Sequence, residues 1–431
     1  MTTTSLNVPE GIHTVVLGMG DTNGVLRGKR IPAEHWPTVC ENGNALSIAM
    51  FAIDMTCDVW DTPYVNFDNG YPDFHMMPVG PVYPLPWEEG VAFCFGRAEG
   101  MDHKPVPIDP RNALLRVLER AEAMGYEVKI GAELEFFLLD RETRQPRDQG
   151  IQVYGLARAA ELEHVLGPIR RSLTAAGIPI EQSNPEYAPG QVEVNIRYGG
   201  ALESADRVVM FRSMVKEVSA QQDYLATFMS KPFIDQSGNG FHTHHSLWKD
   251  GRNVCAENGK LSALGLNYLA GLQKHMSEMA LVSAATPNAY RRRQPYTFCP
   301  INTTWGVDNR TVGLRIIEGK DSAVRIEKRD GSADCNPYLL LAAEITAGLN
   351  GIEQGLQPTP ITEGNGYEAE DAEPIPTDLA TAVGLAKDSA LMQEVYGEDL
   401  LTINIMQAER ELEFFANQVT SVETDRYLGN F

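Results

Sequence analysis

Gly131-Ala132-Glu133-Leu134-Glu135-Phe136-Phe137-Leu138-Leu139 is the stretch that decides the fold of this chain. Its short aliphatic and aromatic run, ended by Asp140 and a polar segment, predicts a buried β-strand. Because side chains at i and i+2 of a strand share a face, Glu133 and Glu135 would lie side by side. Two ionised carboxylates about 4 Å apart repel by roughly 4 kcal/mol at an effective dielectric constant near 20. The stretch therefore favours a site for a divalent metal ion over an edge strand with a solvated acidic face.

Composition limits the class of protein. The 431 residues are 43% hydrophobic, enough for two or three domains with a large core. A net charge of −22 opposes binding to nucleic acid or to anionic lipid, although solubility alone also explains it. The cysteines lack CxxC spacing, the segment Met1–Pro9 lacks the apolar core of a signal peptide, and no apolar run is long enough to span a membrane. We expect a cytoplasmic protein with neither a nucleic-acid nor a membrane partner.

The first hundred residues predict a small β-rich domain. Strands over 13–18 and 25–31 flank the turn residues 21–24, and strand-like pieces cut by proline fill 45–100. Gly18-Met19-Gly20 lacks the third glycine and the helix of a dinucleotide-binding loop, and no P-loop is present. Asp109 and Pro110 form a helix start, so the expected domains are 1–105 and 106–431. Helices are predicted over 111–124, 162–176 (with a possible restart at Gly167-Pro168), 204–229, 262–284, 336–349, 378–392 and 396–418.

Two further segments carry candidate metal ligands. Glu186 and Glu193 flank the turn residues Pro189-Gly190, and a hairpin there would let them converge, although a solvated hairpin is the commoner case. The glycine-rich residues 237–240 lead into a strand that places His242, His244 and Ser246 on one face. A neutral imidazole is a common metal ligand.

Arginines accumulate in the last third of the chain and predict a basic pocket. They are Arg291, Arg292, Arg293, Arg310, Arg315, Arg325 and Arg329. Arg325-Ile326-Glu327-Lys328-Arg329 places Glu327 on one strand face with two arginines, although a surface ladder of charges has the same pattern. Carboxylates with one histidine favour Mg²⁺ or Mn²⁺, and a metal beside arginines suggests phosphoryl transfer.

Taken in order, these segments resemble the glutamine synthetase family along nearly the whole chain. The matching segments are Asp21…Gly24…Arg27-Gly28-Lys29, Pro86-Trp87, Asp109-Pro110-Arg111, Glu133-Leu134-Glu135-Phe136-Phe137, Glu186…Gly190-Gln191-Val192-Glu193, Lys231-Pro232, Gly240-Phe241-His242-Thr243-His244, Ser246-Leu247-Trp248, Asn309-Arg310, Arg325-Ile326-Glu327-Lys328-Arg329 and Asn336-Pro337-Tyr338. The resemblance implies an α+β fold: a β-grasp N-terminal domain, then a catalytic domain with a curved antiparallel sheet flanked by helices. It also implies a dodecamer of two stacked hexameric rings, with active sites between subunits.

The resemblance also implies a role for each site residue. One metal ion would be held by Glu135, Glu186 and Glu193 and a second by Glu133, His242 and Glu327, so that two or three Mg²⁺ or Mn²⁺ ions are expected. ATP would contact His244, Ser246, Trp248, Arg315 and Arg325, with Trp248 under the adenine. Glutamate would contact Gly238, Arg292 and Arg329, and the catalytic residues would be Arg310, Glu186 and Arg329. The implied reaction has two steps: the γ-carboxylate of glutamate attacks the γ-phosphate of ATP, and an amine then displaces phosphate.

The chain departs from the family at the ammonium site. The first-domain motif reads Phe51-Ala52-Ile53-Asp54-Met55 without its usual serines, and Phe298 stands where a glutamate belongs on the flap after Arg292. A phenyl ring cannot accept a proton, but it can line an apolar pocket, so Phe298, Asp54 and Trp60 are the expected amine-pocket residues. We favour a γ-glutamyl–amine ligase acting on a polyamine, ethanolamine, alkylamine or aniline. The alternatives are an ammonium-using glutamine synthetase and a catalytically idle relative with a regulatory or structural role.

Overall fold

The computed structural model describes residues 6–147, 150 and 153–431, so Met1–Ser5 and part of the polar segment 141–153 considered above lie outside it. The strands are β1 (Thr14–Gly20), β2 (Leu26–Pro32), β3 (Asn44–Ser47), β4 (Asp73–Pro84), β5 (Val91–Glu99), β6 (Glu127–Asp140), β7 (Ile180–Pro185), β8 (Gln191–Gly200), β9 (Tyr224–Thr227), β10 (Phe241–Lys249), β11 (Arg252–Asn253), β12 (Ala256–Glu257), β13 (Lys260–Leu261), β14 (Trp305–Val307), β15 (Leu314–Ile317) and β16 (Arg325–Lys328). The α-helices are α1 (Trp36–Asn42), α2 (Pro110–Ala123), α3 (Leu156–Ala175), α4 (Ala201–Gln221), α5 (Ala263–His275), α6 (Ala280–Ser283), α7 (Pro287–Tyr290), α8 (Pro337–Glu353), α9 (Leu379–Asp388), α10 (Ala390–Ala416) and α11 (Ser421–Tyr427).

The first sheet has the order β2-β1-β5-β4-β3, with β1 and β5 parallel at its centre and the other pairs antiparallel. Its β1–β2 hairpin confirms the turn predicted at 21–24. The Asp21 carboxylate accepts hydrogen bonds from the backbone N–H groups of Asn23 and Val25, both at 2.9 Å. A short acidic side chain that bonds its own turn is the usual device for fixing such a hairpin.

The second sheet runs β14-β15-β16-β10-β6-β8-β7, with β11 beside β10 and β9 beside β6. Every pairing in it is antiparallel except that of β14 with β15. The deciding stretch lies in β6, which has β10 on one side and β8 on the other. Helices flank the sheet, so the predicted α+β class with a curved, largely antiparallel sheet is confirmed.

Helix starts follow the capping residues that the sequence shows. Asp109 accepts a hydrogen bond from the backbone N–H of Arg111 at 2.9 Å and precedes Pro110, while Asn336 caps α8 in the same way. Helix α8 is buried along most of its length and packs against α5. A Cβ on Gly271 would lie 2.0 Å from the carbonyl oxygen of Ala347, so this close helix contact requires glycine.

Five helix predictions are corrected in their bounds. The helix predicted over 204–229 ends at Gln221, because Asp223 has φ +62° and β9 pairs with the end of β6. The helix predicted over 262–284 is two helices, α5 and α6. Helix α3 begins earlier than predicted and continues through Pro168, so the helix does not restart there. The helices predicted over 378–392 and 396–418 are α9, which ends at Asp388, and α10, which begins at Ala390. Helix α10 spans both sides of Gly397, whose φ of +70° interrupts the helical backbone.

The two sheets are separated in sequence by residues 100–109, between β5 and α2. The predicted boundary at 105/106 falls in this segment, and the division into two domains stays a prediction. The core of the first sheet also contains Ile403 from α10, so the C-terminal helix packs against the N-terminal sheet. Within the described ranges, none of the helices combines the length and apolar character needed to cross a bilayer.

Candidate active site

The strand register gathers most of the predicted metal ligands on one face of the second sheet. Residues directly opposite each other are Glu133 and His242 on β6 and β10, Glu135 and Glu193 on β6 and β8, and His244 and Glu327 on β10 and β16. Because side chains at i and i+2 of a strand share a face, Glu133 and Glu135 of β6 lie on the same face, as do His242 and His244 of β10. The β7–β8 hairpin adds Glu186 immediately after β7, as the sequence predicts.

Glu133, His244 and Glu327 form the tightest acidic and imidazole group in the described part of the chain. One potential ligand atom from each lies within 4.8 Å of the other two. His242 is close by, with Nδ1 3.5 Å from a carboxylate oxygen of Glu133 and 3.5 Å from one of Glu327. Sequence resemblance assigned His242 to the metal and His244 to phosphate, whereas the structure places both imidazoles against the same two carboxylates.

Glu135, Glu186 and Glu193 form the second acidic group. The Glu135 carboxylate accepts a hydrogen bond from the backbone N–H of Gly240 at 2.7 Å, and Asn184 donates to Glu186 at 3.0 Å. Burial, followed by the charge of Glu135, raises the pKa of Glu186 to about 7. Burial also raises the pKa of Glu193 to about 9, reinforced by the neighbouring glutamate charges. This mutual repulsion is what a bound cation would relieve.

Glu327 is held by two arginines. Burial opposes its ionisation, but Arg329 and the two imidazoles outweigh burial and lower the pKa of Glu327 to about 2. Arg329 Nη1 lies 2.5 Å from one carboxylate oxygen of Glu327, and Arg315 Nη1 lies 3.0 Å from the other. Arg315 also pairs with Asp308, so the predicted basic pocket is partly neutralised by acids of the same chain.

Four of the five predicted nucleotide contacts line one cavity of about 390 Å³, and the fifth, Arg315, is not part of its lining. Its lining includes Glu133, His244, Ser246, Trp248 and Arg325. Trp248 donates an indole N–H to the Ser246 hydroxyl at 2.9 Å, and Lys129 Nζ lies 4.2 Å from the centre of the Trp248 ring. One face of the indole is therefore covered by an ammonium group, and the Trp248 side chain as a whole is largely buried.

Two of the three predicted glutamate contacts, Gly238 and Arg292, lie together at a glycine-rich loop, whereas Arg329 contacts Glu327 and the backbone of Phe298. A Cβ on Gly238 would lie 2.6 Å from Cγ of Arg292, which explains glycine at that position. Arg292 Nη2 donates to the backbone carbonyls of Asp330 and Gly331 at 2.9 and 2.6 Å. A Cβ on Gly240 would lie 3.4 Å from both Nη1 of Arg292 and Oε2 of Glu135, so the loop joins the arginine to the acidic group.

Arg310 is exposed to solvent. Its charge acts on Glu186 and opposes the rise in the pKa of that carboxyl that burial causes. The structure thus brings Arg310 near the carboxylate with which it shares a predicted catalytic role.

The three predicted amine-pocket residues lie in two different places. Phe298, which is 44% exposed, stacks on Tyr187 with ring centroids 5.8 Å apart. Trp60 is only 4% exposed and lies in the core of the first sheet, where Arg410 contacts its ring at 5.6 Å. The Asp54 carboxylate accepts hydrogen bonds from the backbone N–H groups of Thr56 and Asp58 in the loop that follows it. The contacts of Asp54 and Trp60 in this chain therefore do not include Phe298.

Sequence reasoning missed a buried ionic network behind the site. Lys328 Nζ lies 3.1 Å from a carboxylate oxygen of Glu344 and also pairs with Asp330, while His245 Nε2 lies 3.0 Å from Glu344. The period of two was the available signal, because it sends His245 and Lys328 to the face opposite His244 and Glu327. Their partners on α8 and after β16 could not be read from that alternation.

Comparison with known proteins gives consistent matches. Residues 107–427 match the family model described as "Glutamine synthetase, catalytic domain". A glutamate–isopropylamine ligase from Pseudomonas sp. is 33% identical over 436 residues, covering 97% of this chain and 95% of the relative. A gamma-glutamylethanolamide synthetase from Streptomyces coelicolor is 35% identical over 430 residues, covering 96% and 92%. Among solved structures, a complex of GmaS with ADP superimposes with a TM-score of 0.86 at 29% identity, covering 97% of each chain.

Proposed function

Since this chain belongs to the glutamine synthetase family and is a ligase of that type, we propose that it joins the γ-carboxylate of glutamate to an organic amine. The reaction consumes ATP and passes through γ-glutamyl phosphate. The products are a γ-glutamylamide, ADP and phosphate. We further propose that the enzyme is cytoplasmic and works as a homo-oligomer, a dodecamer of two hexameric rings, without nucleic-acid or membrane partners. In such an assembly Asp54 would serve the amine site of a neighbouring subunit, and Trp60, which is buried behind it, would support the loop that carries Asp54.

The donor set fits Mg²⁺ or Mn²⁺. Glu133, His244 and Glu327, with His242 beside them, offer one group of ligand atoms, and Glu135, Glu186 and Glu193 offer another. Carboxylate oxygens with few imidazoles suit these hard cations, and the raised pKa values of Glu186 and Glu193 indicate a field that a cation would relieve. Two or three bound ions would shield the phosphate charge of ATP.

In the first step the chain positions two substrates. Arg292, Arg329 and the loop at Gly238 would hold glutamate, while Arg315, Arg325 and Arg310 would face the phosphates. A γ-carboxylate oxygen then bonds to the terminal phosphorus as the bond to the ADP oxygen breaks. Trp248 and Ser246 would hold the nucleoside end in the cavity described above.

In the second step the amine nitrogen bonds to the γ-carbonyl carbon, and the bond from that carbon to the phosphate oxygen breaks. The nitrogen must lose a proton, which Glu186, given a catalytic role by the family resemblance, would accept. Arg310 would stabilise the departing phosphate from the exposed side.

The observation that carries the choice of an organic amine is Phe298. It stands on the flap between Arg292 and Arg329, and its ring is half-exposed against Tyr187 instead of buried in a core. An apolar ring at that position favours a substrate with carbon beside its nitrogen, and it lacks the carboxylate that would attract ammonium and accept its proton. The two relatives whose names specify an amine substrate support the same choice.

Phosphate release tests the proposal. Purified enzyme with ATP, glutamate and Mg²⁺ is supplied in parallel with ammonium, methylamine, isopropylamine, ethanolamine, aniline and putrescine. We expect at least one organic amine to exceed ammonium in kcat/KM. Fast turnover with ammonium alone would instead identify an authentic glutamine synthetase. Absence of turnover with every amine, despite measurable Mn²⁺ binding, would favour the catalytically idle relative.

A further inference from the structure

Tyr187, the residue after Glu186, and Phe298 form an exposed aromatic pair. Their ring centroids lie 5.8 Å apart with planes inclined by 28°. Tyr187 is 46% exposed, and it follows Glu186 directly in the sequence. Large aromatic rings so exposed beside a buried acidic group are available for contact with a ligand.

Hydrogen bonds hold the backbone segments that carry the two rings. The N–H of Tyr187 donates to the Glu186 carboxylate, and the amide of Gln191 at the other end of the turn donates to Gly238 O at 3.1 Å. On the flap, Phe298 has φ +58°, and its carbonyl oxygen accepts a hydrogen bond from Arg329 at 3.3 Å. The pair therefore joins two elements that each already contact a predicted substrate-binding residue.

The position of the pair determines what it can contact. The amine must approach the γ-carbonyl beside the acidic group that contains Glu186, and its substituent extends away from that group. Tyr187 is the residue next to Glu186 in the chain, and its ring and that of Phe298 are both about half-exposed. Aromatic rings there stabilise carbon substituents by contact, which is worth about two- to tenfold in binding for a single ring.

The exposed charge beside the pair argues against a diamine. Arg310 is exposed, and its charge acts on Glu186. A second ammonium group that extended from the pair toward Arg310 would be repelled by its guanidinium. Arg329 adds little to this repulsion, because it is buried and paired with Glu327.

We propose that Tyr187 is a specificity-determining residue that, with Phe298, selects a primary monoamine carrying an apolar substituent. This inference depends on the proposed amine-ligase function and adds the substrate class and a second residue of the pocket. Tyr187 contacts the substituent and not the reacting atoms, so it acts on the KM for the amine.

The test compares Tyr187→Ala and Tyr187→Phe with the unchanged enzyme, using isopropylamine, methylamine and putrescine. Tyr187→Ala is expected to raise the KM for isopropylamine about tenfold while changing that for methylamine little, with kcat and the KM for ATP and glutamate preserved. Tyr187→Phe keeps the ring and is expected to keep the preference. Tyr296→Ala is the matched control, since Tyr296 lies on the same flap with φ +63° but packs against Tyr367, with the ring planes inclined by 49°.

The outcomes separate the two proposals. If the unchanged enzyme turns over no organic amine, the proposed function fails. If it does, but Tyr187→Ala leaves the ratio of isopropylamine to methylamine unaltered, or lowers kcat with every amine equally, the role of Tyr187 is refuted. Preferred use of putrescine by the unchanged enzyme would overturn the monoamine class. Should Tyr187→Ala not fold, Tyr187→Leu gives the same comparison with a side chain of similar bulk but no ring.

Discussion

Glu133 Oε1 lies 3.0 Å from Nε2 of His244, although the two residues are not opposite each other in the sheet. The residue facing His244 on β6 is Gly131, and a Cβ there would lie 3.4 Å from the Cβ of His244. Because Gly131 has no side chain, the imidazole can lean along the strand toward Glu133. A diagonal contact of this kind lets one carboxylate face both histidines of β10.

Glu133→Gln is expected to weaken Mn²⁺ binding by at least about tenfold. The change removes the charge of a proposed metal ligand whose carboxylate also contacts both imidazoles of β10. Calorimetric titration of metal-free protein with Mn²⁺ measures the change. Glu127→Gln is the control, since Glu127 lies on the same strand but is exposed. Equal affinities for the two variants would contradict the assignment of Glu133 to the metal.

Phe298→Glu is expected to raise kcat/KM for ammonium relative to the best organic amine, by about tenfold or more. A carboxylate on the flap would attract the small cation and accept its proton, and it would remove the apolar contact. Phosphate-release rates with the two amines give the ratio. A ratio that does not move would show that Phe298 does not select the amine.

Lys328→Met is expected to destabilise the fold by about 3–5 kcal/mol, because it removes the cation that the buried carboxylates of Asp330 and Glu344 share. Denaturant unfolding of the variant measures the loss. Arg30→Met is the matched control: it breaks the exposed pair with Glu88 and is expected to cost less than about 1 kcal/mol. Similar losses in the two variants would show that the buried network contributes no more to the free energy of unfolding than an exposed ion pair.

Asp109→Asn is expected to gain stability relative to the unchanged protein as pH rises. Burial raises the pKa of Asp109 to about 6, above its unfolded value, so the unfolded state loses this proton first. The contribution of Asp109 is therefore most favourable at low pH and falls as pH rises through the folded pKa. Between pH 4.5 and 7 the free energy of unfolding of the variant should improve by about 2 kcal/mol relative to the unchanged protein. A difference independent of pH would contradict a raised pKa.

Much of the fold could be predicted because the signals are local. Asp109 and Asn336 cap the helices they precede, the turn at 21–24 closes a hairpin, and the alternation in β6 places both glutamates on one face. The failed predictions were also local in origin. Helical periodicity continues past Gln221, but residues 224–227 instead pair with a strand more than eighty positions earlier.

The sequence by itself determined that carboxylates, imidazoles and arginines would lie on shared strand faces, since strand alternation and turn chemistry act over a few residues. Only the tertiary structure decided which of them touch. It brought His244 to Glu133 across a gap at Gly131, set Arg315 and Arg329 on either side of Glu327, and stacked Tyr187 on Phe298. The physical reason is that such contacts depend on strand register and on packing between segments far apart in the chain, which no local pattern specifies.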